Sequence, residues 1–231
     1  MNRLTIFIAL VLILPLTSKA QQIIELETTP GIKWVAKGGI GTSWLTFPKV
    51  FLVDPDNAEN VWSISPATNN VTFDLGMQCV VPLGKHWLFL PEVNYSFLSG
   101  EVNVNRLETS QIARKLQTYS RISIPINFAI TSKDNFWFAF GPSVFFTVAD
   151  NKGFDNAVFE LTSNANVNSD NPVGLSLRVL AAIELSDKMY IDFKFEYDTS
   201  RRFEFENDVY EVRMAMQSIS VGVGYLFSKS N

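Results

Sequence analysis

The chain has few of the residues that exported proteins use for covalent staples and that enzymes use for chemistry. Cys79 is the only cysteine, which excludes an intramolecular disulfide and a thiolate metal cluster. His86 is the only histidine, so a catalytic base of the commonest type has one candidate position. Basic residues number 19 against 23 acidic ones, so nothing favours nucleic acid as a partner. After residue 20 no run of eighteen apolar residues occurs, which excludes helical membrane spans.

The first twenty residues are typical of a secretory signal. Arg3 supplies the positive start, an apolar stretch runs from Leu4 to Leu16, and small residues occupy the two positions that a signal peptidase reads. We expect cleavage before Gln21, with residues 21–231 forming a single domain. The alternative is an uncleaved N-terminal anchor, although the apolar stretch is short for a membrane-spanning helix.

Apolar and polar residues alternate along eight segments of the remaining chain, which is typical of β-strands with two different faces. In Tyr190–Thr199, for example, an isoleucine and three aromatic residues alternate with four charged ones. The eight segments are Lys33–Thr46, Val71–Val81, Trp87–Leu98, Leu116–Ile130, Phe136–Val148, Gly174–Leu185, Tyr190–Thr199 and Met214–Phe227. Their length of roughly ten to fifteen residues suits tilted strands that cross a membrane.

The polar faces of these segments predict that the apolar faces point outward, to lipid. The face with Ser218, Ser220, Gly222 and Gly224 is small and neutral, which suits the crowded interior of an eight-stranded barrel. We therefore predict an all-β fold, an eight-stranded antiparallel up-and-down transmembrane β-barrel. The main alternative is a soluble, lipocalin-like exported barrel that binds an apolar ligand inside.

Bulky aromatic residues mark the ends of the apolar faces. Trp34 and Trp44 lie ten residues apart on one face, which corresponds to about 25 Å of height for a tilted strand. That height matches the apolar belt of outer-membrane barrels. Five residues are expected at the membrane interfaces: Trp34, Trp44, Trp87, Tyr225 and Phe227.

The connections between segments alternate in length, as they do in outer-membrane barrels. Tight turns are expected at residues 82–86, 131–135 and 186–188. Long polar loops are expected at residues 47–70, 99–115, 149–173 and 200–213. This alternation places all turns on the periplasmic side and all long loops outside.

Charged residues on the polar faces are expected to point into the lumen. They are Lys37, Asp74, Glu92, Arg121, Arg178, Glu184, Asp192, Lys194 and Glu196. Glu92 and Arg121 lie on adjacent strands, and Arg178 and Glu184 lie beside the Asp192–Lys194–Glu196 row. Buried charges are costly unless they are paired, so we expect a plug held by salt bridges, with a narrow ion path as the alternative.

The last outer loop continues the alternation of the strand before it. Phe203 and Phe205 continue the apolar face of that strand. Residues 207–208 are expected to form a turn, and residues 209–213 the returning strand. We predict a protruding hairpin whose Phe203, Phe205 and Tyr210 contact a partner protein. The alternative is packing among the loops themselves. An acidic cluster at residues 54–59 lacks the glycine of a calcium loop and is expected to be solvated.

Four stretches of the sequence resemble the PorT-like outer-membrane β-barrel proteins of Bacteroidota. They are Leu90–Tyr95, Ile122–Phe128, Phe138–Pro142 and Ile219–Phe227. The resemblance implies an eight-stranded barrel in the bacterial outer membrane and implies little about activity.

We expect a protein without catalytic activity, cofactor or metal that uses its outer loops for interaction or envelope structure. His86 is interpreted as a turn residue on the periplasmic side. A small pore or a transport or secretion component is the alternative. The expected partners are outer-membrane lipid, the barrel-assembly machinery and an extracellular or envelope protein, with the barrel itself a monomer.

Overall fold

A ring of eight long antiparallel strands forms the body of the protein. The computed structural model describes residues 32–53, 61–108, 111–132, 135–151, 153, 167–168, 172–199, 204–205 and 214–227. The expected signal segment and the acidic cluster at 54–59 lie outside the described residues. No helix in the described part of the chain is long and apolar enough to cross a membrane.

Eleven strands occur in the described residues, and eight of them are long. The long strands are β1 (Lys33–Thr46), β3 (Val61–Pro82), β4 (Trp87–Arg106), β5 (Gln111–Thr131), β6 (Phe136–Asp150), β8 (Val173–Ser186), β9 (Met189–Asp198) and β11 (Ala215–Phe227). The short strands are β2 (Val50–Val53), β7 (Val167–Asn168) and β10 (Glu204–Phe205).

The long strands pair in sequence order, and β1 closes the ring. Each strand is antiparallel to its neighbours, and β1 pairs with both β11 and β3. At the middle of this closure Gly38 lies between Val223 on one side and Leu75 on the other. The predicted eight-stranded up-and-down barrel is therefore confirmed. Closure leaves the ring without a strand edge, as hydrocarbon surroundings require.

Side chains alternate between a filled interior and an apolar exterior. Along β9 the inward residues from Tyr190 to Asp198 are buried, while Phe193 and Tyr197 are exposed on the outside. Ile40, Leu75 and Leu177 are each more than half exposed on the exterior. A water-soluble barrel would bury such residues, so the exterior is a lipid-facing belt.

Two ends of the barrel can be distinguished. We call the end with the connections at 83–86, 132–135 and 187–188 the turn end, and the opposite one the loop end. At the turn end, backbone hydrogen bonds such as Leu83 N–H to the Trp87 carbonyl, at 2.9 Å, close the connections.

Two of the predicted long loops were wrong, because strands occupy much of them. β3 begins at Val61 and β4 continues to Arg106, so residues 61–70 and 99–106 are extended and paired. β5 begins at Gln111, which leaves a four-residue connection. The reason is that the alternation continues: Val102 and Val104 are buried, while Glu101, Asn103 and Asn105 are partly exposed.

These extensions form a second structure above the barrel, which we call the outer sheet. It consists of β2, Val61–Asn70, Ser99–Arg106 and Gln111–Thr118. β3, β4 and β5 have 22, 20 and 21 residues. A membrane crossing uses about 9–11 residues of strand, so roughly half of each of these strands lies beyond the lipid belt. Register shifts between Pro66 and Phe73 mark where β3 leaves the barrel wall.

Candidate functional site

A continuous chain of ion pairs with alternating sign crosses the lumen at mid-height. Its members, in order, are Asp192, Lys37, Glu92, Arg178, Glu196, Arg121 and Asp198. Lys37 Nζ, on β1, lies 3.0 Å from Asp192 and 3.2 Å from Glu92. Glu92, on β4, also accepts a hydrogen bond of 2.9 Å from Arg178. The first links therefore join four different strands across the barrel.

The chain continues through Glu196, which is held by two guanidinium groups. Arg178 donates to Glu196 through two nitrogens, at 2.9 and 3.2 Å, and Arg121 donates to it at 2.8 Å. Ser176 donates a further hydrogen bond of 2.8 Å to this carboxylate. Asp198 lies 3.9 Å from Arg121. Hydrogen bonds in which both partners are charged are among the stronger polar contacts in proteins.

A separate ion pair lies beside this chain. Lys194 Nζ is 2.6 Å from Asp74 on β3, and Ser220 donates a hydrogen bond of 3.3 Å to the same carboxylate. We call this pair and the chain together the lumen network. Every charged side chain in it is at most 10 % exposed, so the pairs are desolvated.

All of the predicted lumen charges except Glu184 lie in the lumen network. Glu184 is half-buried near the turn end, on the same face of β8 as Arg178 but six residues further along. Asp198 was not among the predicted residues, although it continues the inward row of β9 and is only 1 % exposed. The period-two pattern predicts which face of a strand a residue occupies. The height of the residue along the barrel axis then determines which charged side chains it contacts.

Small residues on β11 make room for the network. A Cβ atom on Gly222 would lie 2.5 Å from Asp192 Oδ1, and one on Gly224 would overlap the Tyr190 ring. Tyr190 occupies that space and donates a hydrogen bond of 2.9 Å to Gln78. The small, neutral face that indicated a crowded interior therefore accommodates the large side chains of β9.

An apolar cluster fills the lumen between the network and the turn end. Its buried members are Val35, Leu90, Ala129, Trp137, Ala139, Leu180, Ala182 and Tyr190. Trp137 and Tyr190 meet edge to face, with ring centroids 5.4 Å apart. This cluster was not predicted from the sequence.

A second apolar cluster fills the lumen at the loop end. Its buried members are Leu45, Phe47, Val50, Ile64, Leu98, Val102, Val104, Tyr119, Met214 and Met216. Ile64, Val102 and Val104 belong to the outer sheet, whereas Leu98 and Met216 line the barrel. One face of the outer sheet is thus packed over the mouth of the barrel. Side chains fill the described lumen at three successive levels, two apolar and one charged.

The predicted interface aromatics lie on the exterior, near the two ends. Trp34, Trp87, Tyr225 and Phe227 are at the turn end, each between 43 % and 52 % exposed. Trp44 is half-buried near the loop end of β1. His86 is exposed in the connection before Trp87, where its carbonyl accepts a hydrogen bond from Thr131 N–H.

The predicted partner hairpin is only partly described. Phe205 lies in β10, whose described pairing is with β7, in another loop, and Phe205 lies opposite Val167. Phe203, Tyr210 and the expected return segment 209–213 lie outside the described residues. The partner hairpin therefore stays a prediction.

Comparison with known proteins adds to this picture at the level of the fold. No family model matches the sequence, and no curated protein matches it either. The outer membrane protein OprG from Pseudomonas aeruginosa is a similar solved structure, with a TM-score of 0.52 at 11 % sequence identity, covering 85 % of this chain and 96 % of OprG.

Two further solved structures are more distant. AlkL, an outer membrane protein, gives a TM-score of 0.48 at 10 % identity, with 86 % of this chain and 92 % of AlkL covered. Ail, the attachment invasion locus protein of Yersinia pestis, gives 0.38 at 12 %, with 85 % and 99 % covered. The likeness to OprG supports the barrel fold. The apolar side chains lie on the outside of the barrel and the charged ones inside, which is the arrangement of a membrane barrel. This chain is an eight-stranded β-barrel of the bacterial outer membrane.

Proposed function

We propose that this protein is a non-catalytic outer-membrane barrel that holds the outer sheet above the membrane for interaction with another protein. One observation carries the proposal: the lumen is filled at three levels, while β3, β4 and β5 continue well beyond the lipid belt. A barrel that served only as an anchor or a pore would not need this extension.

The filled lumen argues against the pore as the main role. An ion that crossed would have to displace Lys37, Arg178 or their carboxylate partners, all of which are paired at 3.2 Å or less. It would also have to pass two apolar clusters. Breaking a buried ion pair by removing one partner costs about 3–5 kcal/mol. The apolar clusters offer a crossing ion no polar group that would compensate for this cost.

The same contacts argue against catalysis. Glu92 and Glu196 each contact two cations in the lumen, so they are not poised as an acid and base pair. His86 lies at the turn end, outside the barrel lumen and at the opposite end of the barrel from the outer sheet. The barrel stands as a monomer in outer-membrane lipid after insertion by the assembly machinery, with its aromatic residues at the interfaces.

The first experiment tests the filled lumen. The purified protein is inserted into planar lipid bilayers, and the current is recorded under an applied voltage. We expect no steady conductance. Insertion is verified separately by heat-modifiable migration of the protein recovered from the same lipid, because a filled barrel gives no current of its own. A steady current through the unaltered protein would contradict the proposal.

The second experiment tests the outer sheet. A photo-reactive amino acid is placed at Ile112, on the outer sheet, or at Ile124, in the lipid belt, and cross-linking is performed on intact cells. We expect protein adducts from position 112 and only lipid adducts from position 124. Adducts at position 112 should disappear when Val102 and Val104, which pack the outer sheet over the mouth of the barrel, are both changed to aspartate. Equal adducts from both positions would contradict a role for the outer sheet.

A further inference from the structure

Two buried polar side chains on the inner wall of the barrel lack a hydrogen-bond partner. Asn127 on β5 is 0 % exposed, and Ser143 on β6 is 1 % exposed. Neither the amide group of Asn127 nor the hydroxyl of Ser143 has a partner among the described residues. Buried polar groups are costly to leave unpaired, and those of native proteins bond either to protein or to ordered water. These side chains therefore need a partner that the described protein groups do not supply.

Asn127 and Ser143 are diagonal neighbours on the inner face of the β5–β6 pair. Pro125 lies opposite Ser143 in this ladder. Gly141 adjoins Asn127, since a Cβ atom on Gly141 would lie 2.8 Å from Asn127 Cα. Diagonal neighbours on one face of a sheet are about 7–8 Å apart, so both side chains can reach one small molecule between them. We call the space between these four residues the wall site, and Pro125 and Gly141 bring no polar side-chain atom to it.

The Arg178 side chain covers the wall site from the lumen. Arg178 on β8 lies opposite Gly141, and its Nη1 donates to Glu92 on β4. Because β5 and β6 separate these two strands in the ring, the side chain passes in front of both. Each nitrogen of the guanidinium group makes one hydrogen bond to a carboxylate, so both terminal amino groups retain a further N–H. The wall site is thus enclosed by donors from Arg178 and by the amide and hydroxyl groups of the wall.

The polar groups around the wall site match a water molecule better than an ion. Water both donates and accepts, and buried waters make about three hydrogen bonds in polar sites. A cation would lie beside the Arg178 charge, and the described residues contain no group of three or more acidic, histidine or cysteine side chains that could hold a metal. An anion would lie near the Glu92 and Glu196 carboxylates, which both contact Arg178. The site therefore suits a small neutral ligand.

We propose that the wall site binds one ordered water molecule, which bridges Asn127 and Ser143 to the Arg178 guanidinium group. The water connects β6, which contributes no charged side chain to the lumen network, with the centre of that network. It holds Arg178 in place between Glu92 and Glu196 from the side of the wall. The two apolar clusters lie above and below the site, so the water is enclosed and gives no path through the barrel. The site lies within the barrel and does not depend on what the outer sheet binds.

The water can be observed directly by NMR of the full chain in lipid nanodiscs, with isotopic labels in the asparagine and glutamine side-chain amides. The Asn127 signal is identified by its loss in Asn127→Leu. We expect a cross-peak between the Asn127 amide and the water resonance. The Gln78 amide, which is equally buried and donates to Glu92, is the matched control and should give none. Absence of the cross-peak at Asn127, or an equal one at Gln78, would overturn the assignment.

Ser143→Ala separates a bound water from the Ser143 hydroxyl proton, whose exchange with solvent gives a similar signal. The cross-peak should persist in this variant, because Asn127 and Arg178 still hold the water. Its loss would assign the signal to the hydroxyl and overturn the proposal. The cross-peak should also be unchanged when sodium chloride is replaced by tetramethylammonium chloride. A loss on removal of sodium would make the occupant a cation, contrary to the proposal.

Displacement of the water tests its contribution to the network. Ser143→Val places an additional methyl group in the wall site and leaves Asn127 and Arg178 without their bridge. It should unfold at a lower urea concentration than Ser143→Ala, although valine is favoured in strands. Adding Asn127→Leu to Ser143→Val should recover part of this loss, whereas a loss from simple overpacking would not be relieved by leucine. Equal unfolding of the two Ser143 variants, or no recovery in the double variant, would overturn the bridging role.

Discussion

Removal of the Arg178 guanidinium is the sharpest perturbation of the lumen network. Arg178 joins the two halves of the ion-pair chain, because it donates to Glu92 on one side and to Glu196 on the other, each at 2.9 Å. Its side chain is fully buried. Arg178→Met retains most of the volume and removes the charge. We expect the barrel to fold with lower stability and unchanged topology.

The size of the loss follows from what each carboxylate retains. Glu92 keeps Lys37, and Glu196 keeps Arg121 and the Ser176 hydroxyl. Neither carboxylate is left alone, but each has one cation where it had two. Breaking a buried pair costs about 3–5 kcal/mol when a charge is left without compensation. We therefore expect a loss at or below the lower end of that range, about 2–3 kcal/mol.

The assay is urea unfolding in lipid vesicles, followed by heat-modifiable migration on gels and by tryptophan fluorescence. The matched control is Glu108→Gln, which breaks the exposed pair between Arg106 and Glu108 at 3.4 Å. An exposed pair contributes about 0–1 kcal/mol, so this variant should unfold close to the unaltered protein. High salt should weaken the control pair and leave the Arg178 effect in place.

A second variant distinguishes a lost pair from lost packing. Adding Glu196→Gln to Arg178→Met removes the negative charge that the arginine had balanced. The double variant should therefore lose less than the sum of the two single losses. If Arg178→Met unfolds at the same urea concentration as Glu108→Gln, then the network is solvated and the description of a desolvated plug is wrong. The same follows if the losses of stability from Arg178→Met and Glu196→Gln are additive.

Two further predictions concern the barrel wall and can be tested with the same unfolding assay. Gly141→Ala should destabilise the barrel by about 1–3 kcal/mol, because the added methyl would overlap the Ile126 carbonyl. In Gly38→Ala the added methyl would meet a flexible Leu75 methyl, so the stability should change little. Equal losses of stability would contradict the close approach of β5 and β6. Val221→Arg, in the exposed belt, should lower the stability by about 2–4 kcal/mol, while Gln217→Arg, nearer the loop end of the same face, should lower it by about 0–1 kcal/mol. A larger loss from Gln217→Arg than from Val221→Arg would contradict this position of the lipid belt.

Much of the barrel could be predicted because period two encodes the face of each residue. Along β9 charged residues alternate with apolar ones, so the direction of each side chain was determined before any pairing was known. Closure and strand order followed from the even number of segments and the short turns. Burial of the predicted charges depended on the same parity and on the small residues of β11.

The parts that could not be predicted depend on height and continuity. Which charges meet across the lumen depends on the stagger of strands around the barrel, so Asp198 joins the network and Glu184, on an equally inward position, does not. The outer sheet was missed because Asn103 and Asn105 resemble turn residues, although they alternate with buried valines. Composition indicated a loop, and packing over the mouth of the barrel keeps the chain extended.

The outer sheet and the filled lumen depend on each other. Ile64, Val102 and Val104 would be exposed if the mouth of the barrel were open, because they pack on Leu98 and Met216 below. Opening the lumen would therefore also release the inner face of the outer sheet. A transport cycle would have to pay that cost together with the rupture of the ion-pair chain. An interaction function needs neither change, since Ile112 and Leu116 on the outer sheet are exposed while the lumen stays filled.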